Sequence, residues 1–259
     1  MVKGLYTAYT GMINEQNRMD IMTNNLANAS TVGYKKEGST SQSFDDVLTV
    51  KIKDQSVGMR NVQRLGVKNP GVKIGENYTD YSQGSFRITG NTYDLALSGE
   101  GFFAIEFTNK AGETDTKYTR AGQFTLNKEG YLVTEEGDYV LDTQNRRIQL
   151  NTLIDSSITD DGTIYQNGQA VAKIQVTDFE DYDYLEKYGE TYYQPIQGAK
   201  TIAAKAQVKS GYLEMANVQI VSEMVNLISI TRAYESNQKV VQTIDDTLDV
   251  AVNQIGRVQ

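Results

Sequence analysis

The chain has 259 residues, enough for one large domain or a medium domain with extensions, and carries 25 Lys plus Arg against 33 Asp plus Glu for a net charge of −8. That balance argues against nonspecific phosphate binding and so against nucleic acid, and no run of 18 apolar residues offers a membrane span. With no Cys, His or Trp, zinc–thiolate sites, disulfides and Cys/His or Ser/His/Asp catalysis are excluded by inventory.

The amino end, "MVKGLYTAYTGM", lacks the long apolar region of a cleaved leader, so Sec-type export is not expected. It reads instead as a helix. Leu5, Met12, Met19 and Leu26 recur every seven residues, Ala8, Met22 and Ala29 fall near the intervening positions, and Glu15 is the one charged exception. The stretch "NNLANASTVGYKK", residues 24 to 36, then ends the periodicity. Asn24, Asn25 and Asn28, with Ser30 and Thr31, compete for backbone hydrogen bonds, and Gly33, just before Tyr34, permits a sharp exit, so this segment is expected to cap the helix and redirect the chain.

Residues 41–68 have mixed polarity and weak periodicity and are expected to form a joint. From about residue 69 to 209 the chain is rich in Tyr, Thr, Val and Gly, with period-two runs such as "GFFAIEF". Here "NKEGYL", "EEGDYV", "DDGTIY" and "QNGQAV" read as successive hairpin turns, which predicts an antiparallel β domain. A second stripe closes the chain: Leu227, Ile230, Tyr234, Asn237, Val241, Ile244, Leu248, Ala251 and Ile255 alternate steps of three and four, with Ile220 and Leu213 continuing it backwards. Periodicity unbroken from about Leu213 to Ile255 favours a coiled coil or helical assembly. The expected fold is therefore α+β, with residues 1–40 and 210–259 as long terminal helices pairing in a coiled-coil-like axial domain and residues 69–209 as the central antiparallel β domain. Leu5, Met12, Met19, Leu26, Leu227, Ile230, Tyr234, Val241, Ile244, Leu248 and Ile255 are the candidate assembly interface.

Several fragments invite chemistry and fall short of it. "SGEGFF" lacks the third glycine and the βαβ surroundings of a dinucleotide loop. "DSSITDDGTIY" lacks the ligand order and closing Glu of a calcium loop. "DFEDYDYLEKYGE" supplies Asp178, Glu180, Asp181, Asp183, Glu186 and Glu190 among tyrosines that could stack on sugars, but acids alone do not make a glycosidase pair, and a solvated face explains them. No catalytic residue, metal site or cofactor is expected.

"TNNLANASTVGYKK" resembles the amino-terminal signature of the bacterial flagellar rod and hook proteins. "NTYDLALSGEGFFAIE", "YTRAGQFTLNKEGYLVTEEGDYVL" and "VKSGYLEMANVQIVSEMVNLISITRAYESNQKVVQTIDDTLD" resemble that family's other blocks, in order. One departure is Thr92, where relatives often carry Pro, which leaves the local turn open. The single β region resembles the rod members more than the hook members, which usually carry a further outer domain. The resemblance implies a structural, non-enzymatic subunit of the flagellar basal body that self-assembles into a helical tube and transmits torque from motor to hook. It implies partners among other rod and hook proteins and the flagellar export apparatus, through which such chains leave unfolded and uncleaved. A hook or hook-junction subunit, or a peptidoglycan-binding protein using the Tyr and carboxylate region, remain the alternatives.

Overall fold

The computed structural model describes residues 2–52, 62–109 and 112–255. The chain forms two compact units: Met1–Leu26, Glu37–Asp80 and Ile220–Gln259 make one, and Ala27–Lys36 with Tyr81–Gln219 make the other.

The first unit is built on two helices, α1 (Val2–Ala27) and α2 (Ile220–Val250), the latter running into a π-helical turn at Ala251–Ile255. Neither contains Pro, and α2 places Glu223, almost fully buried, in its first turn, where the helix dipole favours a carboxylate. Gly4 and Gly11 each disfavour α1 by about 1 kcal/mol relative to Ala. They lie where α2 comes close: a Cβ on Gly4 would stand 3.6 Å from Ile244 Cδ1, and one on Gly11 3.0 Å from Asn237 Nδ2. Seven residues forward on one helix match seven backward on the other, so the two are antiparallel. The unit also carries β1 (Glu37–Ser43), β2 (Val47–Ile52), β3 (Val62–Lys68) and β4 (Val72–Thr79), with β1 pairing β4 and β2 pairing β3, both antiparallel. Two buried asparagines tie β1 to α1. Asn14 exchanges hydrogen bonds with the Ser41 hydroxyl at 3.0 and 3.1 Å, and the Asn25 amide donates to Glu37 O at 2.7 Å while its oxygen accepts from Glu37 N at 2.9 Å.

The second unit is a β structure. Its main sheet has nine strands: β7 (Phe102–Thr108), β8 (Thr114–Thr119), β9 (Phe124–Leu126), β10 (Leu132–Thr134), β11 (Tyr139–Val140), β15 (Val176–Phe179), β16 (Leu185–Tyr188), β17 (Tyr192–Pro195) and β18 (Thr201–Ala203). A smaller sheet joins β12 (Ser156–Ile158), β13 (Thr163–Gln166) and β14 (Gln169–Lys173). Two pairs bring late chain onto early chain: β5 (Phe86–Ile88) with β20 (Tyr212–Glu214), and β6 (Leu95–Ser98) with β19 (Gln207–Ser210). Leu95, Leu97, Phe103, Phe124, Leu132, Ile148, Ile164 and Val208 close the larger core, with Phe103 and Phe124 edge-to-face at 5.2 Å, and Phe102, Tyr118, Phe179 and Tyr193 anchor a second. The anticipated hairpin glycines, Gly130, Gly137, Gly162 and Gly168, all have positive φ.

The architecture is α+β, and three expectations need correction. The carboxyl-terminal helix begins at Ile220, because Leu213 lies on β20 opposite Arg87, where its burial and ladder bonds outweigh continuation of the helical stripe. The segment read as a joint contains the β2–β3 ladder, and strand structure begins at Glu37, ahead of the span read as the β domain. Residues 72–79, expected with the β domain, cluster with the helices through β1. At Thr92 the turn closes without proline: Asp94 N donates to Asn91 O at 3.1 Å and the Ser210 hydroxyl to Thr92 O at 2.8 Å.

Candidate assembly site

The helix stripes can be traced residue by residue. On α1, Leu5, Met12, Met19 and Leu26 are half-buried and Ala8 is buried. On α2 and the turn that follows it, Ile230 is buried, and Leu227, Tyr234, Asn237, Val241, Ile244, Leu248 and Ala251 are half-buried, whereas most positions between them are exposed. Ile255 closes the last helical turn, and its side chain lies outside the described residues.

A second apolar face was not visible in the seam pattern. Tyr6 (61% exposed), Tyr9 and Ile13 line an outer face of α1 at steps of three and four. On α2, Ile220, Val221 (76% exposed), Met224, Val225 and Ile228 form a denser one, with 220, 224 and 228 on successive turns. Isolated exposed apolar residues are ordinary on protein surfaces; five within nine positions of one helix form a contiguous patch. The i, i+4, i+8 spacing was in the sequence, overshadowed by the longer 3–4 repeat beside it.

The signature segment divides between the two units. Asn24 is exposed near the end of α1, and Asn25 makes the Glu37 clamp. The helix ends at Ala27, and the turn beyond it is closed by Thr31 N donating to Asn28 O at 3.1 Å and the Thr31 hydroxyl donating to Asn28 Oδ1 at 3.1 Å. Gly33 has φ +71, and a Cβ there would lie 2.2 Å from Ala121 N, so both conformation and space exclude a side chain. Its N–H donates to Glu214 O at 2.8 Å, and Val32 bridges Met215. Tyr34 is fully buried, with Lys187 Nζ 4.2 Å from its ring centroid.

Next to Tyr34 stands an ionic cluster that the sequence reading missed. Lys35 Nζ lies 2.6 Å from Glu214 Oε1 and donates to Ser82 O at 2.8 Å. Arg120 reaches Glu214 Oε2 at 3.3 Å, and Gly84 N donates to Glu214 Oε1 at 3.0 Å. Lys35 and Glu214 side chains are 1% and 0% exposed. Arg120 lies 5.3 Å from the Phe102 ring centroid, and its Nε meets no acceptor among the described residues. Two adjacent lysines in "GYKK" read as surface charge, and no local signal linked them to a glutamate 179 positions away.

The acidic stretch 178–190 is used differently from a sugar-cleaving pair. Asp178 is buried and accepts from the Tyr182 hydroxyl at 2.7 Å and from Phe179 N at 2.9 Å; burial, with this bond and the carboxylate's charge, pushes the Tyr182 phenol well above its usual range. Glu180 pairs with Lys200 at the surface, and Asp181 caps the 3₁₀ turn Tyr182–Tyr184. Asp183, Glu186 and Glu190 are exposed. Among the described residues no cluster of acids has the arrangement to hold a metal ion, and no helix is long and apolar enough to cross a membrane.

One unit carries antiparallel end helices with exposed apolar faces, and the other is a β unit in which charged groups such as Lys35 and Glu214 are buried against each other. Comparison with known proteins gives the family. Residues 5–35 match the "Flagella basal body rod protein" model, residues 96–166 the "Flagellar hook protein FlgE/F/G D1 domain", and residues 209–255 the "Flagellar basal body rod FlgEFG protein C-terminal". The flagellar basal-body rod protein FlgG of Bacillus subtilis is 34% identical, with 98% of this chain and 99% of that protein covered. FlgG of Caulobacter vibrioides is also 34% identical, with 95% and 97% covered, and FlgF of the same organism is 32% identical over the whole of both chains. The chain belongs to the flagellar basal-body rod protein family and is a structural subunit of the rod, in the basal body of the bacterial flagellum.

Proposed function

We propose that this subunit polymerises with copies of itself through its end helices, α1 and α2 pairing as a coiled-coil-like axial layer, and that the resulting tube carries torque from motor to hook. The inner seam is Leu5, Met12, Met19 and Leu26 with Leu227, Ile230, Tyr234, Val241, Ile244, Leu248 and Ile255. The single observation that carries the proposal is the outward apolar face of the helices, above all Ile220, Val221, Met224, Val225 and Ile228. An asymmetric patch of this kind docking on a different surface of the next copy gives a heterologous contact, which extends into a filament when its rotation does not close. Removing these half-exposed side chains from water contributes about 1 kcal/mol each, roughly 5 kcal/mol per contact. Other rod and hook subunits at the ends of the tube, and the export apparatus that delivers the chain unfolded, are its proposed partners. No reaction is assigned to it.

Electron cryo-microscopy of the concentrated full chain tests this. Tubes from the wild type, and none from a Val225→Asp, Ile228→Asp variant whose β unit melts unchanged, are the expected result. Tubes from that variant at the wild-type concentration would refute the helix-mediated contact. Straight, stiff tubes support a rod position, and curved, compliant ones the hook alternative.

A further inference from the structure

The Lys35–Glu214–Arg120 cluster raises a question of purpose. A buried ion pair is weak evidence for stability, because well-packed apolar residues of the same volume often do as well. Its placement is more informative. Between Ala27 and Lys36, several ties from Val32 onward run to one short stretch of late chain and to the start of the chain that returns to the β unit. Gly33 N donates to Glu214 O, Val32 bridges Met215, Lys36 N donates to Asn217 Oδ1 at 2.7 Å, and Lys35 Nζ donates to Glu214 and to Ser82 O. The Glu214 carboxylate is in turn fixed by Arg120 and Gly84 N, so a single side chain joins the signature segment, the β8–β9 connection and β20. Segment 27–36 is also the covalent bridge from α1 to β1.

We propose that the Lys35–Glu214 ion pair is a latch that positions segment 27–36, and that Lys35 serves assembly by this positioning and not by stabilising the β unit. The inference rests on the rod-subunit reading for its second half only. Losing the Glu214 carboxylate would take a counter-charge from two buried cations at once, so Glu214→Gln tests folding more than positioning. Lys35→Met is the informative variant: its aliphatic chain fills much of the lysine's volume, and Glu214 keeps both Arg120 and Gly84 N.

The experiment is hydrogen exchange by mass spectrometry on full-length wild type and Lys35→Met, with urea melts and tube formation on the same preparations. The latch predicts exchange about 100-fold faster at amides 30–36. It also predicts protection unchanged in β7 and β10, and a polymerisation threshold raised about tenfold. Unchanged exchange at 30–36 overturns the latch. An equal rise across β7 and β10 overturns it as well, because Lys35 then supports the whole core. Faster exchange with an unchanged threshold removes the assembly half. If the wild type forms no tubes at any concentration, the assembly reading fails while the exchange comparison still decides the latch.

Discussion

Replacing Gly33 by Ala separates two costs that glycine substitutions usually mix. The first is conformational: φ is +71, and an L-residue in that region costs roughly 1–2 kcal/mol. The second is steric: the new Cβ would lie 2.2 Å from Ala121 N and 2.5 Å from Ala121 Cα and Arg120 C, all backbone atoms that cannot turn aside. Forcing such an overlap typically costs 1–3 kcal/mol, and any retreat of the segment stretches the 2.8 Å bond from Gly33 N to Glu214 O. Gly189 provides the control, since it has the same φ of +71 with nothing within 4 Å of its Cβ position. G189A should therefore lose only about 1–2 kcal/mol and G33A about 2–5 kcal/mol, read as urea unfolding of the β unit followed by tyrosine fluorescence. Equal losses in the two variants would refute the close approach to Ala121, and a G33A loss under about 0.5 kcal/mol would refute the positive φ as well.

Two further expectations concern pH. Arg147 forms a two-bond pair with Glu106 at 2.7 and 2.9 Å, and the guanidinium's hydrogen bonds hold the Glu106 carboxyl below its usual range. A depressed carboxyl stabilises the fold above its unfolded pKa and loses that contribution as pH falls through the folded value. Because Arg147 is partly exposed and screened, R147Q should lose only about 0.5–1 kcal/mol at pH 7 and match the wild type near pH 2; a gap that persists in acid would mean lost packing, not charge. At the alkaline end, burial of the Tyr192 phenol, with its bond to Asp138 at 2.9 Å, pushes its ionisation far above the ordinary value. The raised value means a contribution fully present below pH 10 and lost as pH rises beyond it, so ultraviolet titration should leave Tyr192 and Tyr182 protonated until the β unit unfolds. Y192F should ionise one tyrosine fewer in the unfolding step, and their titration within the folded state would contradict the burial.

Much of the fold was legible wherever one periodicity ruled a stretch. Steps of three and four from Leu227 to Ala251 mark the half-buried side of α2, and Gly130, Gly137, Gly162 and Gly168 mark turns by backbone conformation alone. Legibility failed where a residue satisfies two patterns. Leu213 fits the helical register and a strand alternation equally, and only its partner Arg87, 126 positions earlier by number, decides. The outer helix face failed for a different reason: an exposed apolar patch looks, in one sequence, like a widened buried stripe. Lys35, Arg120 and Glu214 were the least legible, since burial of a charge is a property of its partners and nothing near Lys35 in sequence names them.

The close approach of α1 and α2 at Gly4 and Gly11 also has a bearing on error. Asn237 is the polar interruption of the α2 stripe, and it faces a position where its partner helix has no side chain. Were one helix to slide by a turn, that amide would face Thr7 and Ala8, or Asn14 and Glu15, in place of Gly11, and Ile244 would lose the space at Gly4. What the pair supplies is a penalty for a one-turn slip, so the two end helices of a subunit are held in one alignment rather than left to slide.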